Sequence, residues 1–232
     1  MATRLRYLGH SSLLIESDGK SILIDPYLSE CPTTPADVSA DTIRPDLILL
    51  SHGHFDHLGD TVAIARRTGA TVVAPYELAN WLNKQGVEKA EGMQPGGGWK
   101  GDSGVHVRLT PAVHSSSLAD GTYAGLACGF VVTCGDGSTI YDAADTALFG
   151  DMDLIGEIGL DLAIVPIGDY YTMGPADAVA AIRRLRPRLA MPIHYNTFPP
   201  IAQDARAWAE KVRETTSAMP VTPAPGEWVE IR

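Results

Sequence analysis

The sequence predicts an α/β protein built of sheet layers with helices packed outside them. Two observations carry this. The first part of the chain is dominated by short apolar runs joined by tight turns, the mark of paired strands. From about residue 46 onward, continuous apolar runs of four or five residues alternate with helical stretches, the mark of strands covered on both faces.

In order, Leu5 to Leu8, Ser12 to Glu16 and Ser21 to Ile24 read as strands, with Asp18-Gly19 as the hairpin turn between the last two. Asp46 to Leu50 reads as a buried strand. A helix follows from about Asp60 to Arg67 and ends at Gly69. Thr71 to Ala74 is a further strand, and Tyr76 to Lys84 a helix stopped by Gly86. The glycine-rich stretch 92–104 reads as a hairpin, turning at Gly101 to Gly104 before a strand from Val105 to Leu109. Strands recur at Gly129 to Thr133 and Ser138 to Tyr141, across Gly135-Asp136-Gly137, and at Asp161 to Val165 and Leu189 to Ile193. Helices fit Pro175 to Leu185, with proline in the first turn, and Ile201 to Thr215. No composition break divides the chain, so 1–232 reads as one domain.

Composition narrows the function. Hydrophobic residues make up 45% and charged residues 20% of 232, which excludes a disordered chain. A domain of this length buries roughly 70% of its unfolded surface, enough to need no disulfide staples. Eighteen Lys and Arg against 28 Asp and Glu leave a net charge of −10, which disfavours a nucleic-acid partner. Cys31, Cys128 and Cys134 form no CxxC pair and read as reduced thiols of a cytoplasmic protein. The start, Met1 to Arg6, lacks an apolar signal core, and no run of 18 apolar residues predicts a membrane span.

The chemistry concentrates in His52-Gly53-His54-Phe55-Asp56-His57, directly after the strand 46–50. Strand C-terminal ends are where α/β folds place their sites. Imidazole and carboxylate suit zinc, iron or manganese. In an extended segment His52 and His54 share a face, and a turn through Phe55 can hand Asp56 and His57 to a second, adjacent ion. Past other predicted strands stand His114, Asp145 and His194, with Asp142 competing with Asp145.

The pattern His-x-His-x-Asp-His, followed by His114, Asp145 and His194, resembles the metallo-β-lactamase superfamily over essentially the whole chain. Gly9-His10-Ser11, Leu23-Ile24-Asp25-Pro26, His114-Ser115-Ser116 and the stretch from Gly168 to Asp177 resemble one subgroup. These are small prokaryotic metal-dependent hydrolases of unassigned substrate, akin to sugar-phosphate lactonases. The resemblance implies a four-layer αββα sandwich and two divalent transition metals, zinc first, with manganese, iron or nickel as substitutes. One ion would bind His52, His54 and His114, the other Asp56, His57 and His194. Asp145 would bridge them, because the family pattern places the bridging ligand directly before a threonine. Ala144 stands where many relatives have glycine.

Asp56 and His10 are the candidate catalytic residues. His10 reads either as a proton donor or substrate contact, or as an ordinary packed histidine. Asp25 reads as an acceptor for a ligand imidazole or as a strand-ending turn residue. Asp169, Tyr170 and Tyr171 either shape the pocket or only pack a loop. Ser115 to Ser117 fit hydrogen bonding around the site, and His106 a solvent-facing strand position.

The implied function is hydrolysis, with a metal-bridging hydroxide attacking a small anionic ester, lactone or phosphodiester. The rivals are a mononuclear iron dioxygenase, an RNA-processing nuclease and a non-catalytic metal-binding scaffold. The expected partner is a small anionic molecule, without nucleic acid or membrane, in a homo-oligomer.

Overall fold

The computed structural model describes residues 2–101 and 104–231. Its strands form two seven-stranded sheets. The first sheet contains β1 (Arg4–Gly9), β2 (Ser12–Ser17), β3 (Lys20–Ile24), β4 (Leu47–Leu49), β5 (Thr71–Pro75), β6 (Ala90–Met93) and, at its other edge beside β1, β14 (Trp228–Glu230). The second runs in the order β7 (Gly98–Lys100), β8 (His106–Pro111), β9 (Cys128–Thr133), β10 (Thr139–Asp142), β11 (Leu162–Pro166), β12 (Leu189–Ile193) and β13 (Met219–Pro220). β3 to β6 pair in parallel, as do β10 to β13. Both sheets therefore present a row of strand C-termini.

The two-residue period of the strands sorts their side chains into layers. Leu5, Leu13, Ile15, Ile22, Ile24 and Leu49 of the first sheet meet Val107, Phe130, Val132, Ile140, Ile164 and Met191 of the second in one buried core. Their neighbours face outward. Leu23, Ile48 and Val72 pack under α2 (Thr61–Thr68) and α3 (Tyr76–Lys84) through Ile64, Ala65, Leu78 and Leu82. Val131, Tyr141, Ala163 and Val165 pack under α4 (Met152–Gly156), α5 (Pro175–Leu185) and α6 (Ala205–Thr215). The result is the helix–sheet–sheet–helix sandwich expected. No helix among the described residues is long and apolar enough to cross a membrane.

Three local readings need correction. The stretch 92–104 is not wholly a hairpin. Gly92 and Met93 end β6 in the first sheet, and only Gly98–Lys100 pairs antiparallel with β8. The stretch is thus also the crossover between sheets, and Asp102 and Ser103 of its expected turn lie outside the described residues. The last helix begins at Ala205 rather than Ile201. Asp204 caps it, its Oδ1 accepting from the backbone N–H of Arg206 at 2.9 Å and Ala207 at 3.1 Å, while Pro199–Ile201 form a separate 3-10 turn. The motif segment itself coils into a four-residue helix, α1 (Phe55–Leu58).

Candidate metal centre

Every predicted ligand leaves the end of a strand on the same edge of the sandwich. The block 52–57 follows β4, Asp145 follows β10 and His194 follows β12, while His114 follows β8 and His10 sits in the β1–β2 turn. His52, His54 and His114 come together: His54 Nδ1 lies 2.9 Å from His52 Nε2 and 3.3 Å from His114 Nε2. Asp56, His57 and His194 form a second group with His10, each offering one donor atom within 4.8 Å of the others. The one-turn helix α1 divides the motif between them, sending Asp56 and His57 to the second group.

Asp145 stands between the groups. Its Oδ2 is 3.1 Å from His194 Nε2, 3.3 Å from His57 Nε2 and 3.6 Å from His114 Nε2. Asp142 does not compete for this position. Its Oδ1 accepts from the Ala144 N–H at 3.0 Å and its Oδ2 has no partner. Burial, with the charge of Asp25 added, pushes the Asp142 carboxyl up to about 7.

The backbone at this edge is strained. Eight non-glycine residues among those described have left-handed φ, and His10, Asp25, Ala144, Asp169 and His194 are five of them. Each such residue costs on the order of 1 kcal/mol or more, and such positions gather where a fold fixes a functional geometry. Ala144, at φ 49°, occupies a conformation that glycine adopts without strain.

Asp25 settles into the role of acceptor. Its Oδ2 accepts from His57 Nδ1 at 2.7 Å and from the Ser51 hydroxyl at 2.5 Å, while Oδ1 accepts from the Ser51 N–H at 2.8 Å. The Ser51 hydroxyl, donating to Asp25, is left to accept from His52 Nδ1 at 2.9 Å. One buried carboxylate thus sets both tautomers, directly for His57 and through Ser51 for His52. Both Nε2 lone pairs then face the site.

His10 also belongs to the site. Its Nε2 lies 3.1 Å from Asp56 Oδ2, and its Nδ1 lies 2.8 Å from the Thr197 hydroxyl. A carboxylate only accepts, so Nε2 donates and Nδ1 accepts. Burial lowers His10 to about 4, leaving it neutral.

The electrostatics divide the same way. Burial holds His52, His54 and His114 below the usual imidazole range, in the neutral form that ligates. Burial opposes charge on His57 and His194, yet nearby carboxylates overcome it. Asp145 and Asp25 lift His57, and Asp145 and Asp56 lift His194 to about 9. Buried though they are, both carboxylates stay well below their usual range, Asp145 because His194 and His57 face it and Asp56 because His10 and His194 hydrogen-bond to it.

The donor set fits divalent metal. His57 Nε2 and Asp145 Oδ1 are buried without a hydrogen-bond partner, which is costly in a finished core. Three imidazole nitrogens converge at one point, and at the other two imidazoles stand among carboxylates.

A beta-lactamase superfamily domain model matches residues 20–195, more than half of the chain and a span that holds every donor but His10. The chain belongs to this superfamily. A UPF0173 metal-dependent hydrolase of Thermus thermophilus is 50% identical over 211 residues, covering 90% of this chain and 91% of the relative. A further UPF0173 metal-dependent hydrolase, of Pelotomaculum thermopropionicum, is 46% identical over 233 residues and covers 98% of this chain and 100% of its own. Among solved structures, Igni18, a metallo hydrolase of Ignicoccus hospitalis, superimposes with a TM-score of 0.88 at 36% identity, covering 99% of this chain and 98% of that one.

Several contacts around the site carry no visible signal in the sequence. Ser51 and Thr197 are ordinary polar residues until their partners are known. Gly53 looks like a spacer, but a Cβ there would come within 2.5 Å of the Ala124 Cβ and 3.1 Å of the Ser117 carbonyl. Gly53→Ala is expected to push the His52–His54 pair away from His114 and lower turnover on the order of 10²-fold, the usual cost of displacing reacting groups by about 1 Å. A metal-restored activity assay beside the wild type checks this, and unchanged turnover would contradict the close approach.

The serines stand around the site as expected. Ser116 Oγ accepts from the Gly53 N–H at 3.2 Å, and Ser115 Oγ lies 3.5 Å from His54 Nε2. Tyr171 reaches the cavity over the site, whereas Tyr170 is 73% exposed and stacks edge-on to it. His106 is exposed on β8, and all three cysteines are free and buried.

Proposed function

We propose that this protein is a metal-dependent hydrolase working with two divalent ions, one held by His52, His54 and His114, the other by Asp56, His57 and His194, with Asp145 shared. The observation that carries this is the position of Asp145 Oδ2, within 3.1 to 3.6 Å of imidazole nitrogens from both groups. The names of the relatives at 46% and 50% identity support the reaction class. When bound, such ions supply a water acidic enough to act as nucleophile near neutral pH and a Lewis acid for the substrate oxygen.

The chain's own groups do the rest. Asp25 and Ser51 hold the ligand tautomers, and Asp145 offsets the charge of two neighbouring cations. Asp56, lining the cavity, is placed to take the proton that the nucleophilic water gives up. His10 holds that carboxylate through its Nε2–H. The substrates that suit this chemistry are esters, lactones and phosphodiesters.

Elemental analysis of freshly purified protein, followed by chelation and a hydrolysis panel with zinc, manganese, iron or nickel restored, tests the proposal. The expected result is about two ions per chain and activity that is lost and regained with them. Metal-replete protein inert toward all three substrate types would overturn it.

A further inference from the structure

The cavity over the site has a volume of about 490 Å³, within the range of small-molecule pockets and far larger than an acetyl group needs. His54, Asp56, His114, Asp145 and His194 form its floor, and Phe55, Tyr171 and Phe198 its walls. None of the lining residues is lysine or arginine. A fixed negative charge on the part of the substrate away from the metals would find no counter-charge there, on a chain that already carries −10.

Two of the three aromatic walls are held in place before any substrate arrives. Phe55 packs at 90° against Tyr27, ring centroids 5.9 Å apart, and lies 6.3 Å from Phe198, which packs edge-on to His10 at 5.5 Å. Phe55 and Tyr171 are nonetheless 55% and 54% exposed. Single exposed apolar side chains are ordinary on any protein. Three aromatic rings around one concavity, one of them inside the ligand motif, form a prepared apolar surface. Such rings gain most from another ring set edge-on or offset against them.

Resting on the metal-centre reading above, we propose that the substrate carries an uncharged aromatic group next to its scissile bond, seated between Phe55, Phe198 and Tyr171. The walls receive the ring, while ions held by the His and Asp floor would supply the Lewis acid for the substrate oxygen. Any negative charge of the substrate would then lie at the reacting group over the floor and not on the part between the walls.

Hydroxamates, which chelate divalent zinc, separate the two contributions without turnover. The test is calorimetric titration of zinc-loaded protein with benzohydroxamate, acetohydroxamate and 4-carboxybenzohydroxamate. Benzohydroxamate is expected to bind at least about tenfold more tightly than either of the others, the scale set by burying a phenyl ring against aromatic walls. Tyr171→Ala and Phe198→Ala are each expected to shrink that preference several-fold. Equal binding of acetohydroxamate, tighter binding of the carboxylated analogue, or no hydroxamate binding by the zinc-loaded protein would overturn the proposal. The two readings fail separately. An inert hydrolysis panel with the aromatic preference intact defeats only the hydrolase. Turnover of carboxylated aryl esters as fast as neutral ones defeats only the aromatic site.

Discussion

Asp145→Ala protein will fold, bind little metal and lose hydrolytic activity on the order of 10³-fold or more, several kcal/mol of transition-state stabilisation being what a metal centre supplies. The expectation follows from one oxygen. Asp145 Oδ2 is placed against imidazoles of both groups, and cations held by both groups would repel each other without an anion between them. Asp142→Asn is the matched comparison. That side chain meets only the Ala144 N–H, a bond the amide oxygen keeps, so its metal content should match the wild type and its activity stay within about tenfold, the lower end of what outlying contacts to a metal site are worth. Metal content and turnover of both variants, measured together, decide the matter. A fully metallated, active Asp145→Ala would remove the basis for a shared carboxylate.

Asp25→Ala will be damaged in two ways at once. The carboxylate is fully buried and accepts three hydrogen bonds, from Ser51 N–H, Ser51 Oγ and His57 Nδ1. Leaving those donors unsatisfied costs about 1–3 kcal/mol each, so the denaturation midpoint should fall markedly. Releasing the His57 and His52 tautomers should weaken metal binding about 10- to 100-fold. Asp25→Asn separates the two losses. Its amide oxygen retains part of the network and tolerates the left-handed φ of 43°, so stability should largely survive. Its NH₂ group cannot accept from His57 Nδ1, so metal affinity should still fall. Denaturation curves and competitive chelator titrations check both variants, and wild-type metal affinity in Asp25→Asn would show that the tautomers are set elsewhere.

The candidate ligand frame is legible in the sequence because each candidate donor stands just beyond a recognisable apolar strand. Leu47 to Leu49 announce the block 52–57, and Leu189 to Ile193 announce His194. Such strands read clearly because burial on both faces demands an uninterrupted apolar run. Edge strands escape for the opposite reason. Ala90–Met93 and Trp228–Glu230 are short and half exposed, so they carry no hydrophobic signature. Other parts are contacts between residues far apart in sequence. The Ser51 relay depends on a carboxylate 26 positions earlier, the His10 clamp on a threonine 187 positions later, and the tight space at Gly53 on the loop around Ala124. Spacing within one segment holds no trace of such pairings. The final helix starts later than its periodicity implies because Asp204 caps it locally, an effect that periodicity does not register. Asp145 over Asp142 needed the family pattern, since both follow the same strand, and only burial and hydrogen bonding tell them apart physically.

Because the donors are drawn from both halves of the sandwich, no nascent fragment owns a finished site. The first sheet delivers four candidate ligands early in synthesis, yet their shared partners wait on β10 and β12, in the second half of the chain. On the shared-carboxylate reading, ion capture comes after the halves have closed face to face, as a clasp across the seam. Shortage of the right metal would then leave a folded but unlatched protein, open first along the edge where catalysis takes place.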